Sequence, residues 1–321
     1  MTNHELIEHI SKIYDPSARK TLGETGGIES VYIKPDGVCE VAVRIMNQEK
    51  DDREVRINLT KLLKQDLKIP GVIINISEFP KPRPKYVYLG VASGKGGVGK
   101  STVTVNLAKS FNKLGIRTGI IDADIYGASV PFILNIEKVP VIGDENELMI
   151  PLRGDDIEVI STEFFMPDDK PLMWRGPMLN KLLTYFFESV RWDDETKLIL
   201  IDLPPGTGDV ALDINKFAPK SKMLIVTTPN MAASKIAVKA GLGANQIGHE
   251  VIGVIENMSY YLNPQSQEKD YIFGRGGGIE VSNKLGVDLL GEIPINYEQY
   301  QTIVAIEYEK IAKKIIEIME I

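Results

Sequence analysis

The sequence predicts an α/β protein: a doubly wound, mostly parallel sheet preceded by a small α/β domain. Three observations lead there. Short apolar runs of strand length, rich in β-branched residues, recur after residue 86: YVYLGVAS, RTGIIDAD, IEVIS, KLILIDLPPG, KMLIVTTP, EVIGVIENM and LLGEIPI. Segments with helical spacing, such as STVTVNLAKSFNKLG and NMAASKIAVKAGLGANQIG, lie between several of them. Alternating strand and helix builds a parallel sheet with right-handed crossovers. The stretch FPKPRPKYVYLG, in which Pro80, Pro82 and Pro84 alternate with basic residues, sets a boundary. Such a run is an extended, semi-rigid connector. The expected organisation is a small domain over 1–78, a linker over 79–86 and a large domain over 87–321, in keeping with a chain long enough for about two domains.

In the small domain, HELIEHISKIY spaces Leu6, Ile7, Ile10 and Ile13 as a helix. VYIKPDGVCEVAVRI is two strands around a Pro-Asp-Gly turn, with Val31 and Ile33 alternating before it and Val41, Val43 and Ile45 after it. NLTKLLKQDL is a second helix and GVIINI a third strand. In the large domain each apolar run has the length of a strand covered on both faces. The terminal segment YEQYQTIVAIEYEKIAKKIIEIMEI is a long amphipathic helix packed on the sheet.

Composition narrows the function. The chain has 321 residues, 43% hydrophobic and 25% charged, with a net charge of -7. An acidic surface repels phosphate, which opposes general nucleic-acid or membrane-surface binding. The basic pieces KPRPK (Lys81 to Lys85) and PKSK (Pro219 to Lys222) are candidate DNA contacts, against the commoner reading of a solvated face. The single cysteine, Cys39, forms no internal disulfide and is expected as a packed core thiol. The N-terminus has no apolar signal core and no run spans a bilayer, so a cytoplasmic location without stable membrane association is expected. His4, His9 and His249 are scattered and form no set.

Gly94 to Ser101, GKGGVGKS, matches the phosphate-loop pattern G-x-x-x-x-G-K-[ST] between a strand and a helix. The glycines let successive N–H groups of Gly94, Lys95, Gly96, Gly97, Val98 and Gly99 turn toward phosphate oxygens. The helix that follows, STVTVNLA, opening on Ser101 and Thr102 just after Lys100, adds its positive end. Lys100 reaches the β- and γ-phosphates of a nucleoside triphosphate, and the Ser101 hydroxyl is a ligand for Mg²⁺. Asp122 and Asp124 end one strand and Asp202 another, with Asp209 in the loop beyond. Carboxylates there can hold Mg²⁺ or orient an attacking water. Asp122 either joins them or fixes its loop by hydrogen bonds. Lys95 has no core to pack on and would repel Lys100 unless phosphate lies between them.

The loop GKGGVGKST resembles the deviant phosphate loop of the MinD, ParA and nitrogenase-iron-protein class. The resemblance implies a nucleotide-sandwich homodimer in which Lys95 contacts the nucleotide of the other subunit. It also implies Asp124 as the water-positioning residue of a first switch and Asp202 as the magnesium-side acid. Gly206 and Gly208 would free a second switch. Asn257, at the end of EVIGVIENM, would read adenine, with the loop after Pro294 covering the other edge of the base.

The motifs DADIYGASVPFIL, MWRGPMLNKLLTYF, DLPPGTGDVALDI, ENMSYY and IFGRGGG are together similar to the Mrp family, also called ApbC, over nearly the whole chain. Ala128 stands where proline is usual. The resemblance implies a slow, Mg²⁺-dependent ATPase that carries an iron–sulfur cluster on a C-x-x-C shortly after ENMSYF, two thiolates from each subunit. Here those positions are Asn263 and Ser266. Neither supplies the soft anionic sulfur that a cluster takes. Two readings follow: an ATPase of iron–sulfur assembly, or a nucleotide-dependent regulatory switch acting on a partner protein or DNA without a cluster. A positioning ATPase with a membrane-binding tail is a third, opposed by the acids Glu317 and Glu320 in that tail. Met173, Trp174 and Arg175 stand ahead of a helix with Leu179, Leu182, Leu183, Phe186 and Phe187 on or near one face, and Arg175 is a candidate contact to a neighbouring subunit.

Overall fold

The computed structural model describes residues 3–79, 86–125, 127–145, 148–166, 176–206, 214–266, 268–295 and 301–321. Packing divides the chain into two compact units, residues 1–83 and 84–321. The basic linker 81–85 and the expected residues Met173, Trp174, Arg175, Gly208 and Asp209 lie outside the described residues.

In the first unit, α1 (Asn3–Ile10) precedes β1 (Ile28–Ile33), β2 (Val38–Ile45), α2 (Gln48–Thr60) and β3 (Gly71–Glu78). The sheet runs β1-β2-β3, antiparallel then parallel. The predicted turn closes with Gly37 at φ 84 and the Lys34 amide donating to the Val38 carbonyl. β2 alternates cleanly, burying Cys39, Val41, Val43 and Ile45 against Leu6, Ile10, Leu59 and Leu63. Burial pushes the Cys39 thiol up from its ordinary pKa. α2 begins about ten residues before the predicted NLTKLLKQDL helix. The Asn47 side chain accepts from the Lys50 amide and caps it. Its first turns are nearly all polar, so no apolar period announced them; residues 61–66 continue as a wider π-helical turn.

In the second unit, β4 (Val87–Ser93), α3 (Lys100–Lys113), β5 (Thr118–Asp122), α4 (Val130–Ile133), β6 (Leu152–Gly154) and β7 (Ile157–Ser161) come first. Then follow α5 (Gly176–Glu188), β8 (Leu198–Asp202), β9 (Lys222–Thr227), α6 (Met231–Gln246) and β10 (Glu250–Glu256). The hairpin β11 (Tyr261–Leu262) and β12 (Lys269–Asp270), then α7 (Gly277–Leu285), β13 (Leu289–Glu292) and α8 (Gln301–Met319), come last. Eight strands form one sheet in the order β13-β10-β9-β4-β8-β5-β7-β6. All neighbours are parallel except β6, a short antiparallel edge strand beyond the seven expected runs.

β5, β7 and β8 are buried along their whole length because helices cover both faces. On one face Leu107 and Phe111 of α3 pack with Tyr308 and Ile311 of α8. On the other, Leu183 and Phe186 of α5 pack with Ala237 of α6 and Val281 of α7. The apolar stripe of α8 (Val304, Tyr308, Ile311, Ala312, Ile315) is thus spent on its own domain. Among the described residues no helix is long and apolar enough to cross a membrane. Lys222 of the basic PKSK piece donates to the Ile318 carbonyl at the end of α8. After β4 the chain moves to β5 on one side and later to β9 on the other. The crevice at the carboxyl ends of β4, β8 and β5 is therefore the topological switch point, where ligands bind in such sheets.

Candidate functional site

The loop from Ser93 to Lys100 leaves β4 and enters α3 through four glycines, three of them at positions that tolerate no Cβ without strain or a close contact. Gly97 and Gly99 both sit at φ 81, in the left-handed region. A Cβ on Gly99 would meet the Asn257 amide, and one on Gly94 would strike the backbone of Ile236 and Ala237 in α6. The Ser93 hydroxyl donates to the Lys95 carbonyl at 3.1 Å. Gly99 caps α3 without any side-chain acceptor, so the first N–H groups of the helix face the loop.

Above the loop lies a cavity of about 560 Å³. Lys95, Gly96, Gly97, Gly99, Lys100, Ser101, Thr102 and Asp124 all line it, joined by Ser93, Gly127, Ser129, Pro204 and Pro205. Gly94 and Val98 stand behind it, Val98 buried and Gly94 against α6. The hollow on the other side of the loop, about 230 Å³, is shared by Lys95, Val98, Asn230, Met258 and Phe273. Lys95 is exposed and forms no ion pair among the described residues.

Lys100 and two carboxylates, Asp124 and Asp202, form the floor. The Lys100 ammonium is 2.8 Å from Oδ2 of Asp202 and 3.5 Å from Oδ2 of Asp124. The Ser101 hydroxyl donates to Asp202 Oδ2 at 2.6 Å and the Thr104 hydroxyl to Asp202 Oδ1 at 2.8 Å. Burial pushes the Asp124 carboxyl up against the opposing pull of Lys100. The hydroxyl of Ser101 and the carboxylates of Asp202 and Asp124 are hard oxygen donors gathered at one end of the cavity, the set that Mg²⁺ takes. These residues would hold the ion, which when bound supplies charge to neutralise phosphate oxygens.

Asp122 stands differently. Fully buried, it accepts from the Asp124 amide (3.3 Å), the Val130 amide (3.3 Å) and the Ser161 hydroxyl (3.1 Å). Of its two expected roles the hydrogen bonds match the second, fixing the loop that carries Asp124. Burial, and then the charge of Asp202, pushes its carboxyl up.

Asn257 packs under the loop rather than beside an open pocket. It is buried, and its Nδ2 donates to the Val98 carbonyl at 2.9 Å. Glu256, also buried, accepts from the Ser259 hydroxyl and the Gly278 amide, which anchors the turn bearing Asn257 and Met258. Pro294 follows the neighbouring strand end, where the Ile293 amide donates to the Glu256 carbonyl at 2.8 Å.

Two further residues, Thr104 and Ser161, hold the acids of the site. Thr104 lies one turn beyond Ser101 on the face of α3 that meets β8, a spacing visible in the sequence. Ser161 faces Asp122 only through the β5–β7 register, which no local pattern reveals.

The C-x-x-C positions form a closed turn. Asn263 Oδ1 accepts from the Gln265 amide (2.9 Å) and the Ser266 amide (3.2 Å), and Ser266 Oγ accepts from the Glu268 amide (3.3 Å). Around this hairpin Lys269 lies 3.9 Å over the Tyr260 ring and Arg275 3.5 Å over Tyr271. Among the described residues no group of three or more His, Cys, Asp or Glu is placed to hold a metal ion by itself.

A family model described as ParA, NUBPL iron-transfer P-loop NTPase, matches residues 83–315. The chain belongs to this family. As a member it is a nucleotide-binding P-loop ATPase. The iron–sulfur cluster carrier protein of Bacillus subtilis (strain 168) is 38% identical over 344 residues, covering 97% of this chain and 96% of the relative. The protein of the same name from Aquifex aeolicus (strain VF5) is 41% identical over 68% of this chain and 59% of its own length. Among solved structures, the nucleotide-binding protein of Archaeoglobus fulgidus in complex with ADP matches with a TM-score of 0.55 at 33% identity. That match covers 70% of this chain and 87% of the other. The septum site-determining protein MinD of Pyrococcus horikoshii, complexed with Mg-ADP, shares the fold at 19% identity and a TM-score of 0.52. Both agree with the doubly wound sheet that the sequence predicts.

Proposed function

We propose that this chain is a slow, Mg²⁺-dependent ATPase that closes as a homodimer around nucleotide and acts on a client protein, with no iron–sulfur cluster held at residues 263–266. The observation that carries the dimer is Lys95: an exposed ammonium on the rim of the phosphate cavity, unpaired among the described residues while Lys100 fills the floor. Charge delivered from a second subunit to the triphosphate would stabilise the transferring phosphoryl group. Asp124 orients the attacking water, Ser101 and Asp202 face Mg²⁺, and Asn257 with Pro294 borders the base.

The Bacillus subtilis relative is named an iron–sulfur cluster carrier protein, which supports iron–sulfur assembly as the setting. The closed turn at Asn263 and Ser266 favours a cluster-free mode of action there, since both side chains are already engaged by backbone amides. Cys39 is buried in the other unit's core. Two measurements test this. Sedimentation with and without ATP should show a dimer in the wild type and a monomer in Lys95→Ala. A dimer in both removes the contact in trans. Anaerobic reconstitution with iron and sulfide should leave the dimer colourless and iron-free; stoichiometric iron with visible absorption overturns the cluster-free reading.

A further inference from the structure

We infer that Thr104 is a positioning residue for the magnesium-side acid Asp202, an inference that rests on Asp202 facing Mg²⁺ as proposed above. Thr104 is fully buried on α3, between the buried apolar residues Val103 and Val105. A core site of that kind suits valine, and a hydroxyl there costs free energy unless it is bonded. Its Oγ1 lies 2.8 Å from Asp202 Oδ1 and 3.1 Å from the Lys100 carbonyl. A threonine hydroxyl has one hydrogen to give. The nearer, charged acceptor takes it, because a bond to a carboxylate is shorter and stronger than one to a carbonyl.

The consequence is a two-point hold on one carboxylate. Ser101 and Lys100 both meet Oδ2, and Thr104 alone among the described residues meets Oδ1. A carboxylate turns easily about its last bond, a broad torsion with no sharp wells. Pinned only through Oδ2, Asp202 would pivot. Phosphate in the cavity competes for the Lys100 ammonium, which then leaves Ser101 and Thr104 as the groups orienting Asp202. Thr104 thus sets the plane in which Asp202 presents Oδ2 beside the Ser101 hydroxyl, acting on the ion through another residue without touching it.

The test follows the binding of a fluorescent ADP analogue to the full-length protein, in EDTA and across a Mg²⁺ titration. Thr104→Val keeps the shape and removes the hydroxyl. It should leave affinity in EDTA unchanged and raise the Mg²⁺ concentration for half-maximal effect by about tenfold, as loss of an outer partner of a metal ligand does. Thr104→Ser keeps the hydroxyl and should return the midpoint to the wild-type value. A wild-type Mg²⁺ midpoint in Thr104→Val overturns the inference. So does equal impairment in Thr104→Val and Thr104→Ser, which would assign the effect to the methyl group. If Thr104→Val does not fold, Thr104→Ala gives the same readout, with the same two outcomes deciding. A wild type whose binding ignores Mg²⁺ overturns the inference through the reading of Asp202 itself, a failure distinct from that of Thr104.

Discussion

Lys100 and Asp202 form a buried ion pair at 2.8 Å, with side-chain exposures of 5% and 0%. Both residues answer to nucleotide as well as to the fold. Lys100→Met leaves Asp202, Asp122 and Asp124 in one region without their cation. Breaking a buried pair by removing one partner costs about 3–5 kcal/mol. Ser101 and Thr104 still hold Asp202, so the loss should fall at or below that figure. Denaturant unfolding without nucleotide should show it, and equilibrium binding should show ATP affinity lost at the same time. A variant that binds ATP as the wild type does would mean that Lys100 serves only the fold.

Asp122 should make stability depend on pH in a definite direction. Burial, reinforced by Asp202, raises its carboxyl above the ordinary value of 3.8. The folded protein therefore holds this proton more tightly than the unfolded chain. The contribution is complete below the unfolded value and fades as pH rises through the raised folded value. Denaturation midpoints of the wild type should fall across that interval. In Asp122→Asn, which has no proton to lose, the decline should be shallower, and parallel curves for the two proteins would contradict the assignment.

Gly94→Ala should be more damaging than its size suggests. The added Cβ meets backbone atoms of Ile236 and Ala237, which cannot rotate away as a side chain would. Overpacking of this kind costs about 1–3 kcal/mol. Because Gly94 opens the phosphate loop, the shift should also weaken nucleotide binding. Gly115→Ala, at positive φ but with open space around it, is the control: it should lose stability through strain alone and keep its nucleotide affinity in a calorimetric titration.

Asn257→Ala separates support of the loop from recognition of the base. Removing the amide leaves the Val98 carbonyl without its 2.9 Å partner, at a cost of about 1–3 kcal/mol for a buried acceptor. If Asn257 acts through the loop alone, affinities for ATP and GTP fall together. We expect ATP to fall further than GTP, the mark of an added contact to adenine, in competition binding measured side by side.

Much of the site was legible because its chemistry is local. The glycines of GKGGVGKS, with the strand before and the helix after, announce a loop that turns its amides inward, and the cavity forms over that loop. Asp202 was legible as an acid ending an apolar strand; Asp124, expected at the end of another, lies two residues beyond β5, which stops at Asp122. The role of Asn257 under the loop was not, since Val98 is 159 positions away. Ser161 reaches Asp122 across two paired strands for the same reason. The hairpin at 261–270 escaped notice because its strands are two residues each and its turn is closed by Asn263 rather than by a glycine signal. The early start of α2 escaped because a polar first turn has no apolar period.

What the sequence by itself determined is the backbone: where glycines permit positive φ, where apolar runs must be covered on both faces, and which residue types stand at strand ends. These follow from sterics and hydration acting over a few neighbouring residues. Only the tertiary structure decided that β8 inserts between β4 and β5, so that Asp202 comes into register with Asp122 and both lie beneath Lys100. Strand order is settled by how helices pack on the two faces of the sheet and by the hand of the crossovers. The convergence of the acids on one ammonium is therefore a product of packing among segments far apart in the chain.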